Sequence, residues 1–185
     1  NKLGYTKQRA LSDGSGGLIL LPKALNASIY FCLFNHNFQI SGTKYHGGCL
    51  YFAKVASIQI WFSLFCNNKI GDYGGVMYIK SSGRIVIHYS RFLNNVILNT
   101  HLGRKDNCNG GVGYFFNFKF FWCYHSVFVN NTSYGGSVFC LIALHQRHIW
   151  VREARHEFTL CHNCTFAYNK AFSSGTISSS TDATE

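Results

Sequence analysis

Three groups of residues in this chain could do chemistry. Cys161-His162-Asn163-Cys164 has the C-x-x-C spacing that zinc ligands use. The stretch LIALHQRHIWVREARHEF, residues 141–158, gathers Arg147, His148, Trp150, Arg152, Arg155 and His156. An aromatic ring among guanidinium groups suits a sulfate, a phosphate or an acidic glycan. The competing reading is a loop that only covers one flank. The third group is the acids, and there are only 7: Asp13, Asp72, Asp106, Glu153, Glu157, Asp182 and Glu185. Glycoside hydrolysis wants two carboxylates across a groove, and a calcium-dependent lyase wants several around the ion. Asp72 and Asp106 stand in a segment of variable length, and Glu153 and Glu157 stand beside arginines that would pair with them. No enzyme is expected, no catalytic residue is assigned, and no cofactor is required.

The elements that must carry these residues are strands. One proline, 18 glycines and many asparagines stand against a helical protein, and the apolar runs are β-branched and aromatic. No apolar run reaches the length of a membrane-spanning helix. The chain opens at Asn1 without Met or a signal pattern, so it is expected to be a fragment or a processed form. Its net charge of +10 comes from 17 basic residues scattered without a dense stripe. No nucleic-acid partner is expected from that pattern.

A repeat organises the strands. Gly16, Gly47, Gly74 and Gly110 each begin a glycine pair or its equivalent and lie sixteen residues before Cys32, Ser63, Ser90 and Ser126. Phe follows two residues later and Asn three after that: Phe34/Asn37, Phe65/Asn68, Phe92/Asn95 and Phe128/Asn131. A fifth copy, ending in Cys164, Phe166 and Asn169, is thirteen residues longer. A strict interval with one variable segment is how a solenoid behaves. The expected fold is therefore all-β: a right-handed parallel β-helix of about five coils, each rising ~4.8 Å. Residues 1–15 would be a cap or lead-in, 16–177 the β-helix with its insertion at 141–158, and 178–185 a disordered tail.

In such a stack the five Phe pile as rings and the five Asn form an amide ladder at the point where the strand turns, since Asn tolerates left-handed geometry. The glycine pairs permit positive φ and close approach of backbones. Ile29, Ile60 and Ile87 form an aliphatic column, and Tyr51, Tyr78, Tyr114 and Phe139 an aromatic one. Cys164 falls in the small-residue column with Cys32, Ser63 and Ser90, so packing is expected of it rather than metal binding.

F-x-x-N alternating with G-G-hydrophobic resembles the repeats of the polymorphic outer membrane protein family, chlamydial autotransporter adhesins with similar surface proteins in some parasitic protists. The five phased F-x-x-N motifs and their glycine pairs, spanning most of 16–177, carry the resemblance. The small residue after the pair departs from the usual Ala: Leu18, Cys49, Val76, Val112 and Ser137 stand there. The resemblance implies a noncatalytic, adhesin-like module at the cell surface or outside the cell, binding host or matrix ligands. An anionic glycan, a cell-surface protein, flanking parts of a longer chain or neighbouring solenoid ends are the partners expected. The alternatives are a polysaccharide-active lyase or glycosidase, and a structural piece of a larger fibre.

Cys123 and Cys161 share one position of successive coils, with Cα atoms about 4.8 Å apart, within disulfide range. They are the best candidate bridge among eight cysteines, set against two buried free thiols. Sequons occur at Asn26, Asn130, Asn131 and Asn163. Asn131 belongs to the inner ladder, which leaves Asn26 as the candidate glycosylation site.

Overall fold

The computed structural model describes residues 18–38, 48–70, 73–97, 110–135, 138–144, 158–172 and 177–182. Among these the protein is all-β, and every strand pairing is parallel. A nine-stranded sheet runs Ile19–Leu21, Leu50–Ala53, Met77–His88, Gly113–Tyr124, Phe139–Leu144, Ile177–Asp182. Ala24–Tyr30 and Val55–Trp61 join it along the second half of Met77–His88, and Phe158–His162 joins the second half of Gly113–Tyr124. A five-stranded sheet holds Leu33–Asn35, Leu64–Cys66, Arg91–Leu93, Val127–Val129 and Thr165–Ala167. A four-stranded sheet holds Lys69–Ile70, Val96–Ile97, Thr132–Ser133 and Lys170–Ala171. None of these sheets closes on itself; each ends in open edges.

Pairing partners lie one repeat apart, so equal side chains meet. Phe34, Phe65, Phe92, Phe128 and Phe166 stack with centroids 4.7, 4.9, 5.0 and 4.9 Å apart and nearly parallel planes. Ile29, Ile60, Ile87, Cys123 and Cys161 oppose one another in turn. These columns, with Phe52, Phe115, Phe121 and Phe139, fill one core. The Tyr51, Tyr78 and Tyr114 column points to the other face of the same sheet, where it forms a second buried cluster with Cys140 and Ile142. Alternation along each strand explains the division. Leu50 and Phe52 go to the first core and Tyr51 to the second.

Bends occur at three columns. All thirteen non-glycine residues with positive φ among those described fall in them. One is Phe31, Phe62, Tyr89, His125, Asn163; the second His36, Asn67, Asn94, Asn130, Tyr168; the third Lys54, Ser81, Asn117. The bend expected at the ladder asparagines therefore lies one residue earlier. The ladder amide must point inward to reach its neighbours, so the residue before it takes the left-handed turn.

Three other expectations are corrected. Phe139 opposes Gly113, and Cys140 rather than Phe139 opposes Tyr114. The fifth repeat carries one extra residue at its glycine pair, and the Phe139 ring packs into the first core beside Gly113, which has no side chain of its own. The long insertion is narrower than 141–158. Phe139–Leu144 and Phe158–His162 hold both its ends on Gly113–Tyr124, with twelve residues more between Ile142 and Phe158 than between Phe116 and Phe120. The tail is not disordered throughout: Ile177–Asp182 pairs residue for residue with Phe139–Leu144. An open edge offers unpaired backbone groups to any extended chain that reaches it, and Ser and Thr present no obstacle.

Candidate functional site

The inner ladder is saturated. Asn37, Asn68, Asn95 and Asn131 each donate an amide N–H to the Oδ1 of the next asparagine at 2.8, 2.8, 3.0 and 3.0 Å, ending on Asn169. The same Oδ1 accepts the backbone N–H of the previous asparagine. The remaining amide hydrogen of Asn68, Asn95 and Asn131 goes to a Phe carbonyl of the preceding repeat, as from Asn95 to Phe65 at 3.1 Å, while that of Asn37 goes to Cys49 Sγ at 3.5 Å. Asn68, Asn95 and Asn131 are fully buried. These three face no solvent and support the fold, while Asn37 and Asn169 at the two ends of the ladder are half-buried.

The small-residue column is a second polar seam. Ser63, Ser90 and Ser126 each donate a hydroxyl to the carbonyl two residues back, at 2.9, 3.0 and 2.8 Å. Each accepts the backbone N–H of the equivalent residue one repeat earlier, from Cys32, Ser63 and Ser90.

The surface feature lies immediately before this seam. Each repeat places two residues there: Tyr30-Phe31, Trp61-Phe62, His88-Tyr89, Tyr124-His125, His162-Asn163. The first of each pair ends a strand with its side chain turned away from the core. The second occupies the left-handed corner and projects outward. Phe31, Phe62, Tyr89 and His125 stack at 5.0, 5.2 and 4.9 Å with planes within 14°. Tyr30, Trp61, His88, Tyr124 and His162 run beside them, with Trp61 and His88 edge to face at 4.4 Å. The two columns touch through His88 and Tyr89 at 4.3 Å. Phe31 is 77% exposed, Phe62 45% and Tyr89 47%.

Rings stacked in this way hide one another's faces and present their edges, which carry the positive end of the ring quadrupole. Three imidazoles, His88, His125 and His162, sit in this wall within 6 Å of one another in sequence order. His88 is held below the ordinary imidazole value, first by desolvation and then by the charge of His125. The indole Nε1 atoms of Trp61 and Trp122 and the Nδ1 of His88 are buried without a protein partner. Arg84 shares the outward face of its strand with His88, and Arg91 stands just beyond Tyr89; both are exposed. The corner therefore joins apolar edges to cationic groups.

Arg147, His148, Trp150, Arg152, Arg155 and His156 lie outside the described residues. Asn26 is exposed on Ala24–Tyr30, opposite Ser57. Cys123 and Cys161 are in register, as the repeat requires, yet both are free thiols and no bridge joins them. In-register parallel neighbours hold their Cβ bonds parallel. The ~4.8 Å strand spacing then persists at Cβ, beyond the roughly 3.5–4.5 Å a disulfide needs. Cys140 is disulfide-bonded. Cys49 is fully buried, and desolvation pushes its thiol up to about 12, so it is an inert packing residue.

The aromatic corner is the feature that reading by columns of Phe and Asn passes over. Its signal is the recurring aromatic pair directly before Cys32, Ser63, Ser90 and Ser126. No protein-family model matches the chain, and neither a curated protein nor a solved structure matches it.

Proposed function

We propose that the chain is a right-handed parallel β-helix module, noncatalytic and adhesin-like, at the cell surface or outside the cell, and that its aromatic corner binds an anionic glycan. The in-phase Phe and Asn columns and the left-handed corners, each repeating once per turn of sequence, support the β-helix reading. The phased F-x-x-N and G-G motifs, similar to those of the polymorphic outer membrane proteins, support the adhesin reading.

One observation carries the binding site: the stacked rings of Phe31, Phe62 and Tyr89 stand exposed at one corner, beside a second, largely half-buried ring column, although burying a large aromatic side chain is favourable by about 1.5–3 kcal/mol. Arg84 and Arg91 beside exposed ring edges favour a sulfated or carboxylated glycan over a neutral one.

The test uses Phe62→Asn and Tyr89→Asn. Asn occupies this same column at Asn163 with φ 50, so the backbone tolerates it. Both variants are expected to fold as the parent does and to lose about tenfold or more in affinity for heparin-type chains on a glycan array. Unchanged binding by the variants, or binding confined to neutral glycans, refutes the site.

A further inference from the structure

The last repeats depart from the others in sulfur. The inner aliphatic column, Ile29, Ile60, Ile87, ends in two successive cysteines, Cys123 and Cys161. The serine seam ends in Cys164. The three thiols converge: Cys164 Sγ lies 3.5 Å from Cys123 Sγ, and Cys161 opposes Cys123 directly across the strands. Phe158–His162 and Thr165–Ala167 are edge strands, each paired on one side. Cys123 is fully buried, while Cys161 and Cys164 are half-buried at that edge. These residues do not form a group able to hold a metal ion.

Independently of the glycan reading, we propose that Cys164 and Cys123 form a thiol–disulfide exchange site for small disulfides of the glutathione class, with Cys164 attacking and Cys123 resolving. In the first step the Cys164 thiolate attacks one sulfur of RSSR. The Cys164–SR bond forms, the S–S bond of the substrate breaks and RS⁻ leaves. In the second step Cys123 gives its proton to the departed thiolate and attacks Cys164 Sγ. The Cys123–Cys164 bond forms and the second RS⁻ leaves, taking a proton from solvent to replace the one Cys164 had released. Two protein thiols are oxidised and one RSSR is reduced to two RSH.

The roles follow from surroundings. Protonated, Cys164 Sγ donates to Cys123 Sγ at 3.5 Å and to the Cys123 and His162 carbonyls at 3.4 and 3.5 Å. Once Cys164 is ionised, the thiols of Cys123 and then Cys161 turn to it as donors, joined by the backbone N–H groups of Ser126 and His162. These donors stabilise the thiolate and hold Cys164 well below the ordinary thiol value, against desolvation. Cys123, hydrogen-bonded to Cys161 and Cys164 and buried, is held well above it. The better-ionised, more accessible sulfur attacks, and the protonated inner one waits for a leaving group in contact with it.

The experiment treats the full chain with oxidised glutathione at neutral pH, quenches with acid and maps the cysteines by peptide mass spectrometry. The parent is expected to form a Cys123–Cys164 bridge without retained glutathione. Cys123→Ser should trap glutathione on Cys164. Cys164→Ser should slow the loss of free thiols by about tenfold or more. Cys161→Ser should still yield the Cys123–Cys164 bridge. A Cys161–Cys164 or Cys123–Cys161 bridge in the parent overturns the proposal, and this map needs no variant to fold. Glutathione retained by the parent at Cys164 without a bridge overturns it too.

Discussion

Asn95 accepts from the backbone and side-chain N–H groups of Asn68 and gives its own two amide hydrogens to the Phe65 carbonyl and Asn131 Oδ1. Only a primary amide of this length can do all four. Asn95→Ala strands a buried backbone N–H, a side-chain N–H and a carbonyl, each costing about 1–3 kcal/mol. The variant should lose about 3 kcal/mol or more in urea unfolding. Asn94→Gly, which keeps the left-handed corner and removes an exposed amide, should lose less than about 1 kcal/mol. Equal losses would contradict the ladder as the main polar support. His88 supplies a pH dependence. Desolvation, then His125, lowers its folded value, while Cys164 acts the other way. His125, Tyr89, Tyr124 and Trp61 are the rings packed against it. On acidification the unfolded chain takes up this proton first, near the ordinary value of about 6.5. The contribution of neutral His88 is therefore complete above that pH and lost as pH falls from it towards the lower folded value. Melting temperature should drop between neutral pH and pH about 5.5, and His88→Phe should shrink the drop. A drop of the same size in the variant would assign it elsewhere.

At the scale of the element, the glycine pairs set how closely successive repeats approach. A Cβ on Gly75 would run into the Gly111 carbonyl oxygen of the next repeat, and one on Gly110 into the Gly113 carbonyl oxygen of its own repeat and the Cys140 backbone nitrogen of the next. These obstacles are backbone, so none can swing aside. Gly75→Ala is expected to cost about 3 kcal/mol or more or to leave the protein insoluble; a stability within about 1 kcal/mol of the parent would mean that the sheets slide apart freely. The close approach was legible because in-register pairing makes the chain itself periodic: Phe65, Phe92 and Phe128 recur because they touch. Three things were hidden for physical reasons. The one-residue slip at Phe139 was hidden because Gly113 leaves a hole that the ring fills, and a hole has no letter in a sequence. The corners at Phe31, Phe62, Tyr89 and His125 were hidden because bulky residues disfavour left-handed backbone, so no propensity marks them. The Cys123–Cys161 bridge failed because spacing reports Cα alignment and says nothing of the direction of Cβ.

The whole molecule must manage open edges. Phe139–Leu144, sequence FCLIAL, carries Ile177–Asp182 along its full length in register. That last strand, ISSSTD, ends in the acidic Asp182 and shields an apolar edge with a polar one. Removing residues 177–185 bares the backbone of FCLIAL, and parallel strands from another copy supply the same hydrogen bonds. The net charge of +10 opposes such association at long range, and salt screens that repulsion. The truncated chain should therefore stay small at low ionic strength and grow on addition of salt, while the full chain keeps one size throughout. Multi-angle light scattering across a salt series reads both. If truncation leaves the mass unchanged at every salt concentration, the terminal strand is not what keeps this edge from pairing. Growth of the full chain as well would place the associating edge elsewhere, at one of the other described strands paired on one side only, such as Ile19–Leu21, Ala24–Tyr30, Phe158–His162 or Thr165–Ala167.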